Sequence, residues 1–467
     1  MLLCCRWSEF FYHTTMSGNS LTRAIGPFST IAKKRNAMTA KLGSPSITIL
    51  VLMVAVAAPQ LAFGYATFTH EELIDLAWNN SIRPLLLERY PGTTEIGLRE
   101  AHAFAYGGCL IQDLGYYPFG KELFSDLTHY VRSGDFVLAL LRDARNVNEF
   151  AFAIGALSHY VGDSIGHSQG INPSTAITFP DLEKRYGPIV TFEDDPTAHV
   201  RTEFGFDVAQ TAFFRYAPYE YRKQVGFRVS RAALERAYYE TYGLTVRSIL
   251  GPPIAAMGSY RDGVRRVIPL FAKATIVNMR RHLPPDQPGP ALQQLLASIS
   301  NTDYATNWSQ YQHGPTLEDH VLGIIVRLIP KIGILRILAI KPPSAQTEEL
   351  FVKSLNVALT QLQTLLAELS KSPSSELALA NRDLDTGSQV RPGAYRLTDR
   401  AYAELLHKVT ANPGLPIPPG LREDILAYYA DPAAPISTKR NRRAWKKVLA
   451  QLQSLEQQAL ADSRNER

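Results

Sequence analysis

Apolar residues recur at intervals of three and four along most of this chain. Such spacing predicts helices, and it occurs in eight segments: 70–90, 97–114, 136–162, 198–217, 229–249, 345–369, 398–411 and 440–460. The sequence lacks sustained alternation of apolar and polar residues, which is the pattern of a half-buried strand. Breaks rich in proline and glycine separate the segments, at 91–92, 118–120, 251–253, 284–290 and 413–419. The pattern therefore predicts an all-α fold of many helices.

One predicted helix carries three polar residues in a single row. His159, Asp163 and His167 follow one another at steps of four, so they stand on the same helical face. The apolar run 150–157 before them indicates that this face is buried. Buried imidazole and carboxylate groups need partners. Two interpretations fit these three residues alone, a metal site and a hydrogen-bonded core triad.

Further histidines and carboxylates favour the metal site. His199 and Glu203 repeat the four-residue step, and Asp113, His129 and His70 lie upstream. Six of the eleven histidines fall between positions 70 and 199. Together these side chains offer more nitrogen and oxygen donors than one ion uses, and they include no thiolate. Such a set suits zinc in a site with more than one ion.

The order of these residues resembles the bacterial zinc-dependent phospholipase C family, whose superfamily also contains the S1/P1-type nucleases. The resemblance covers roughly residues 65–260. More loosely, 322–355 and 384–399 resemble the C-terminal helical extension of some bacterial members. The resemblance implies a multi-helix phospholipase C/P1 nuclease-like domain that binds three zinc ions, and at least two, in a cleft.

The resemblance also implies a role for each candidate residue. It places one zinc on Asp113, His129, His159 and Asp163, and a second zinc on His167, His199 and Glu203. It places a third zinc on His70, on Asp163 as a bridge, and on the main-chain amino group and carbonyl of the first mature residue, Tyr65. Asp113 and Asp163 are the implied catalytic residues, and Asp113 would take the proton of the attacking water. The stretch from Asp163 to His167 is two residues shorter than in the well-studied relatives, which bears on the shape of the second site.

The N-terminal region has the pattern of an export signal. The apolar run 47–58 is too short to span a membrane, which takes about 20 residues, but it suits a secretory signal peptide. Small residues at 62 and 64 place the cleavage after Gly64. We therefore predict a non-native or upstream extension (1–37), a signal peptide (38–64), the zinc domain (65–250), a helical extension (251–412), and a proline-rich link with a charged terminal helix (413–467). An uncleaved membrane anchor is the alternative for the apolar run.

Charge and smaller motifs limit the choice of partner. Residues 1–64 account for +5 of the formal +6, so the remaining chain is not strongly basic and we expect no nucleic-acid partner. Cys109 lies in an apolar stretch and is interpreted as packing rather than as a ligand. The apolar segment 322–341 carries interspersed cations, which suits a lipid surface. Because Pro330 and Gly333 divide it, we favour two short buried helices.

The expected activity follows from the predicted metal site. We expect an exported zinc-dependent phosphodiester hydrolase of the phospholipase C type, in which zinc-activated water attacks the headgroup ester of a phospholipid. Peripheral contact with a membrane would accompany such a substrate. One alternative is a single-strand nuclease or nucleotidase on the same zinc core, with aromatic platforms among Tyr106, Tyr116, Tyr117, Phe119 and Phe192. A second alternative is a non-catalytic, zinc-stabilised helical module.

Overall fold

A computed structural model describes the chain from residue 67 to residue 465, except for 284–287, 307, 312–313, 372–373, 375 and 412–415. Within this part of the chain the regular structure is helical. The only β-type pairing among the described residues is an isolated bridge between Arg382 and Gln389. The prediction of an all-α fold is therefore confirmed. No described helix combines the length and apolar character needed to cross a membrane.

The first twelve α-helices run from the start of the described chain to residue 250. They are α1 (Thr67–Ala77), α2 (Arg83–Arg89), α3 (Glu95–Gly108), α4 (Glu122–Tyr130), α5 (Ser133–Arg142), α6 (Val147–Gly166), α7 (Asn172–Thr178), α8 (Pro180–Tyr186), α9 (Pro196–Ala212), α10 (Tyr219–Val225), α11 (Arg231–Tyr242) and α12 (Val246–Leu250). Two π-helical turns, Trp78–Ile82 and His167–Ile171, and the 3₁₀ helix Ile111–Tyr116 interrupt this series.

Ten further α-helices follow. They are α13 (Pro253–Asp262), α14 (Ile268–Met279), α15 (Pro290–Ile299), α16 (Asp303–Thr306), α17 (Trp308–Tyr311), α18 (Leu317–Leu328), α19 (Ala345–Lys371), α20 (Arg396–Thr410), α21 (Leu421–Tyr428) and α22 (Arg442–Asn465). The π-helical turn Gly263–Val267 and the 3₁₀ helices Gly333–Leu338 and Ser437–Arg440 complete the set.

Helix α6 is the central element of the core. Seventeen of its twenty residues are buried, and it packs against α1, α3, α5 and α19. Glycines bring α3 and α6 into backbone contact, because a Cβ at Gly108 would lie 2.0 Å from the Phe152 carbonyl oxygen and one at Gly155 would lie 2.2 Å from that of Ala105. This close approach sets the C-terminal end of α3 beside the polar row of α6.

Several predicted helix boundaries differ from the observed ones. The predicted segment 136–162 is two helices, since α5 ends at Arg142 and Asn146 caps α6 by accepting hydrogen bonds from the amides of residues 148 and 149. In the predicted segment 97–114 the α-helix ends at Gly108, and a 3₁₀ helix follows it. In both places the apolar spacing continues along the sequence, but a local turn ends the helix.

The prediction of two short buried helices over 322–341 is only half right. The segment does contain two short elements, the end of α18 and the 3₁₀ helix Gly333–Leu338. Leu322 and Val326 are buried, but Ile324, Leu328 and Ile332 are 58%, 75% and 73% exposed. The reason is that α18 packs on α14 along one side only, so the apolar residues of its other side remain in solvent.

The described residues, from 67 to 465, all belong to one compact unit. Its hydrophobic core includes residues from both sides of position 250, from Phe68 to Leu455. The domain boundaries at 250 and 412 stay predictions, and the predicted extension 1–37 and signal peptide 38–64 lie outside the described residues.

Candidate metal centre

Asp163 lies at the middle of a buried cluster of histidines. One of its oxygens, Oδ2, is 3.0 Å from His159 Nε2 and 3.3 Å from His129 Nε2. The other, Oδ1, is 3.2 Å from His70 Nε2 and 3.8 Å from His167 Nε2. All five side chains are at most 2% exposed. The carboxylate thus faces two different groups of imidazoles with its two oxygens.

Helix packing fixes the first group of imidazoles. His159 Nδ1 lies 3.0 Å from the carbonyl oxygen of Cys109, which the glycine contact between α3 and α6 brings close. His129, at the end of α4, has its Nδ1 2.8 Å from the carbonyl oxygen of Ser125. Each imidazole therefore donates its Nδ1 proton to the backbone, and in the neutral ring Nε2 keeps a lone pair.

The remaining atoms of this group require a cation. The Nε2 atoms of His129 and His159 are 3.3 Å apart, and Asp113 Oδ1 lies 3.4 Å from His129 Nε2. Lone pairs and carboxylate oxygens that face one another in a buried site repel unless positive charge lies between them. Burial lowers the pKa of His129, but Asp113 and Asp163 outweigh it and raise that pKa to about 10. The cluster therefore attracts positive charge, which is the behaviour expected of a metal site.

A second cluster forms around Glu203. Its Oε1 lies 3.0 Å from His199 Nε2 and 3.1 Å from His167 Nε2. Asp195 caps α9, its side chain accepting a hydrogen bond of 2.8 Å from the Ala198 amide, and the helix then presents His199 and Glu203 one turn apart. Among the described residues neither oxygen of Glu203 makes a hydrogen bond of good geometry. These three side chains also suit a metal ion.

The short spacing before His167 coincides with a change of helix type. Helix α6 ends at Gly166, and a π-helical turn begins at His167. Local π-helical turns are frequent at functional sites. Although His167 follows Asp163 by only four residues, its Nε2 lies nearer to Glu203 Oε1 than to Asp163 Oδ1. The shortened stretch therefore still delivers an imidazole to the second cluster.

His70 approaches the centre from α1. Its ring stacks on His159 with centroids 4.4 Å apart. The residues Thr69 to Glu72 suggest a capping box, but the structure shows a different anchor. The amides of Phe68 and Thr69 donate to the Asp207 carboxylate at 2.8 and 3.0 Å, and Glu72 instead accepts hydrogen bonds from Tyr304 and Ala217. Tyr65, the proposed main-chain ligand next to His70, lies outside the described residues.

The structure thus brings all eight described candidates into contact within two joined clusters. Three sets have donor atoms that lie within 4.8 Å of one another: His70, Asp113 and His159; His129, His159 and Asp163; and His167, His199 and Glu203. Their individual roles as ligands stay predictions. Cys109 is in none of these sets, and its thiol donates to the Tyr106 carbonyl.

One residue near the centre escapes sequence reasoning. Asp385 is 3% exposed, and its Oδ1 lies 3.5 Å from His167 Nδ1. The stretch 384–399 is recognisable in the sequence as part of the C-terminal extension, but nothing in its spacing ties it to His167. A contact between residues so far apart in the sequence has no local periodic signal.

Residues 69–250 match the family model described as zinc-dependent phospholipase C. This region belongs to the zinc-dependent phospholipase C family. No curated protein and no solved structure matches the chain.

Family membership and geometry agree on the cofactor. The zinc-dependent phospholipase C region contains every described side chain of the two clusters, from His70 to Glu203. Its cofactor is zinc, and the protein is a phospholipase C-like hydrolase of a phospholipid-hydrolysing family. Asp385 lies outside the matched region.

Proposed function

We propose that this protein is exported and hydrolyses a phospholipid at the ester bond between glycerol and phosphate. The observation that carries the proposal is the position of Asp163. Its two oxygens face separate groups of imidazole Nε2 atoms, at 3.0–3.3 Å on one side and 3.2–3.8 Å on the other. A carboxylate so placed suits a bridge between two ions, as phosphodiester hydrolysis by several zinc ions requires.

The chain itself holds and orients the reacting groups. Zinc, when bound, favours ionisation of water near neutral pH and neutralises charge on the phosphate oxygens. The backbone carbonyls of Ser125 and Cys109 fix the tautomers of His129 and His159, so both Nε2 lone pairs point into the centre. The Asp113 carboxylate is buried beside these nitrogens, with its Oδ1 3.4 Å from His129 Nε2. We therefore propose that Asp113 accepts the proton that the attacking water loses.

Product analysis tests this activity. The purified, zinc-loaded protein should release diacylglycerol and a phosphorylated headgroup from phospholipid vesicles. Mononucleotides released from single-stranded DNA, without diacylglycerol, would instead support the nuclease alternative. No product from either substrate, with zinc bound, would support the non-catalytic module.

The aromatic residues give the nuclease alternative little support. A base needs an accessible ring on which to stack. Tyr106, Tyr116 and Tyr117 are at most 8% exposed, so their rings are part of the core. Phe192 packs against Tyr116 and His199, and Phe119 is the exposed member of the set. Phospholipid therefore remains the favoured substrate class.

We further propose that an apolar–basic surface on α18 and the following segment contacts the membrane that holds the substrate. Its apolar members are Leu317, Ile324, Leu328 and Ile332, each 58–75% exposed. The stretch 317–343 carries four Lys or Arg residues, and its two acidic residues are Glu318 and the buried Asp319. Exposed aliphatic side chains beside an excess of cations suit the interface of an anionic bilayer.

Vesicle binding tests this surface. The double variant Ile324→Ser/Leu328→Ser should bind anionic vesicles at least about tenfold more weakly, because each buried aliphatic side chain contributes about 1.5–3 kcal/mol. Its hydrolysis of a soluble short-chain phospholipid should not change. The matched control is Ile96→Ser/Ile254→Ser, since these residues are 75% and 74% exposed outside the surface. An equal loss of vesicle binding in the control would contradict the assignment.

Export is proposed from the sequence of the leader. The apolar run 47–58 and the small residue Gly64 support cleavage before Tyr65, which would place a free amino group five residues before His70. N-terminal sequencing of protein recovered outside the cytoplasm tests the proposal. A mature start more than a residue or two away from Tyr65 would remove the proposed main-chain ligand of the third zinc.

A further inference from the structure

Residues 380–390, here called the extension segment, are fastened to the helices that carry the candidate zinc ligands. The Leu384 amide donates to the carbonyl oxygen of His129 at 3.1 Å. The Tyr160 hydroxyl, from α6, donates to the Ala380 carbonyl at 2.7 Å. A Cβ at Gly387, whose φ is +68°, would lie 2.2 Å from the Ser164 carbonyl oxygen. The extension segment therefore lies directly against α4 and α6.

These contacts hold the Asp385 carboxylate in a defined orientation. The hydroxyls of Tyr130 and Tyr395 donate to its Oδ2 at 2.8 and 2.6 Å. The side-chain amide of Asn172 donates to the main-chain carbonyl of Asp385 at 2.7 Å. The main-chain amide of Asp385 donates to Asp383 Oδ1 at 3.0 Å. With Oδ2 and the backbone fixed in this way, Oδ1 is directed toward His167.

The His167 ring lies between this carboxylate and the second cluster. Its Nδ1 is 3.5 Å from Asp385 Oδ1, and its Nε2 is 3.1 Å from Glu203 Oε1. His129 and His159 have backbone carbonyls beside Nδ1, whereas His167 has a carboxylate from the extension segment. Histidines that bind metals usually donate their other N–H to such a partner, which sets the tautomer.

We propose that Asp385 is a positioning residue for the second zinc site. It accepts the Nδ1 proton of His167 and so keeps the Nε2 lone pair directed toward His199 and Glu203. The 3.5 Å separation would shorten to a hydrogen bond when a cation on the Nε2 side makes the Nδ1–H a stronger donor. The inference rests on the proposed zinc binding by His167, His199 and Glu203, and it gives the C-terminal extension a role in the site.

Zinc affinity measured without substrate tests this role. In the full-length mature protein, Asp385→Asn should weaken the binding of one zinc, that of the second site, by about 10- to 100-fold in competition with a chelator, because the loss of such partners commonly costs that much affinity. The remaining zinc should stay bound. In the cobalt-substituted protein, the visible absorption spectrum should change as the geometry around His167 relaxes.

A matched control separates positioning from folding of the segment. Ser133→Ala removes the hydrogen bonds between Ser133 and the backbone of Arg382, at 2.6 and 3.0 Å, and so loosens the extension segment without touching His167. Its zinc affinity should stay near that of the wild type. An equal loss in Ser133→Ala and Asp385→Asn would overturn the proposal, as would wild-type affinity and an unchanged cobalt spectrum in Asp385→Asn.

A second background keeps the test informative if Asp385→Asn is unstable. In His167→Ala the imidazole is absent, so the addition of Asp385→Asn should lower zinc affinity no further. A further loss in the double variant would show that Asp385 acts by another route. Failure of the proposed function looks different, because the wild-type protein would then bind zinc without releasing diacylglycerol, or would bind no zinc.

Discussion

The buried contact between Asp75 and His102 differs from the metal centre in how its nitrogen and oxygen atoms are paired. Asp75 Oδ1 is 2.9 Å from His102 Nε2, and Oδ2 accepts a hydrogen bond of 2.6 Å from Tyr106. The His102 ring stacks on Trp78 at 3.8 Å. Burial raises the pKa of Asp75 to about 8 and lowers that of His102 to about 3. Burial therefore favours the uncharged form of both groups, and each of them has a partner within this cluster.

The metal centre shows the opposite arrangement. His129 and His159 donate their Nδ1 protons to backbone carbonyls, and their Nε2 atoms lie close to each other and to the Asp163 carboxylate. The Cys109 carbonyl accepts the hydrogen bond from His159, and the Cys109 thiol donates to the carbonyl of Tyr106. Burial of histidine and aspartate is common to both clusters. What distinguishes the metal site is the convergence of two imidazole Nε2 atoms and two carboxylates on one point, which attracts positive charge.

The largest effect should come from the carboxylate that faces both groups of imidazoles. We predict that Asp163→Asn lowers kcat/KM by about 10²- to 10³-fold or more, since removal of one partner from a buried charged cluster costs about 3–5 kcal/mol. Glu203→Gln changes only the cluster with His167 and His199, so its loss of kcat/KM should be at least tenfold smaller. Steady-state kinetics on one phospholipid substrate compare the two variants. Similar losses would mean that Asp163 is not a bridge.

Removal of zinc should come next. We predict that a chelator lowers the unfolding temperature by roughly 5–10 °C, because buried carboxylates and imidazoles of the centre lose their compensating charge. Differential scanning calorimetry with and without chelator measures the change, and added zinc should restore the original temperature. If the unfolding temperature stays the same after the chelator has removed zinc, the polar groups of the cluster have sufficient partners without an ion.

The smallest effect should come from the self-satisfied cluster. We predict that His102→Gln leaves the zinc content and kcat unchanged and lowers the free energy of unfolding by about 1–3 kcal/mol, the usual cost of a disturbed buried hydrogen bond. Metal analysis and denaturant unfolding give the two numbers. Loss of zinc in this variant would place His102 among the groups that support the metal centre and remove the contrast between the clusters.

The sequence predicted those parts of the site that depend on local helical geometry. The step of four from His159 to Asp163 and from His199 to Glu203 fixes each pair on one face wherever the helices lie. His129 has no other candidate ligand at helical spacing, so its assignment to one zinc with Asp113, His159 and Asp163 depended on the resemblance to the family. The end of α3 at Gly108 could not be predicted, since it depends on the contact of that helix with α6.

Groups that arrive from distant elements were beyond prediction. Asp207 anchors the start of α1 from a position 138 residues away, and it displaced the capping box suggested by Thr69 and Glu72. Asp385 approaches His167 from outside the family region. The side-chain period of a helix carries no information about which distant turn will pack on it, so such contacts require the assembled fold.

Asp385 is synthesised long after the residues that it contacts in the folded protein, such as Tyr130, which lies 255 positions earlier. A ribosome adds about 5–20 residues per second, so more than about ten seconds pass between the appearance of His167 and that of Asp385. During that interval the histidines of α4, α6 and α9 already exist, but the carboxylate that we propose for the Nδ1 side of His167 does not. If Asp385 has the proposed role, a zinc ion that meets the nascent chain would be held more weakly by His167, His199 and Glu203 than one that meets the finished protein.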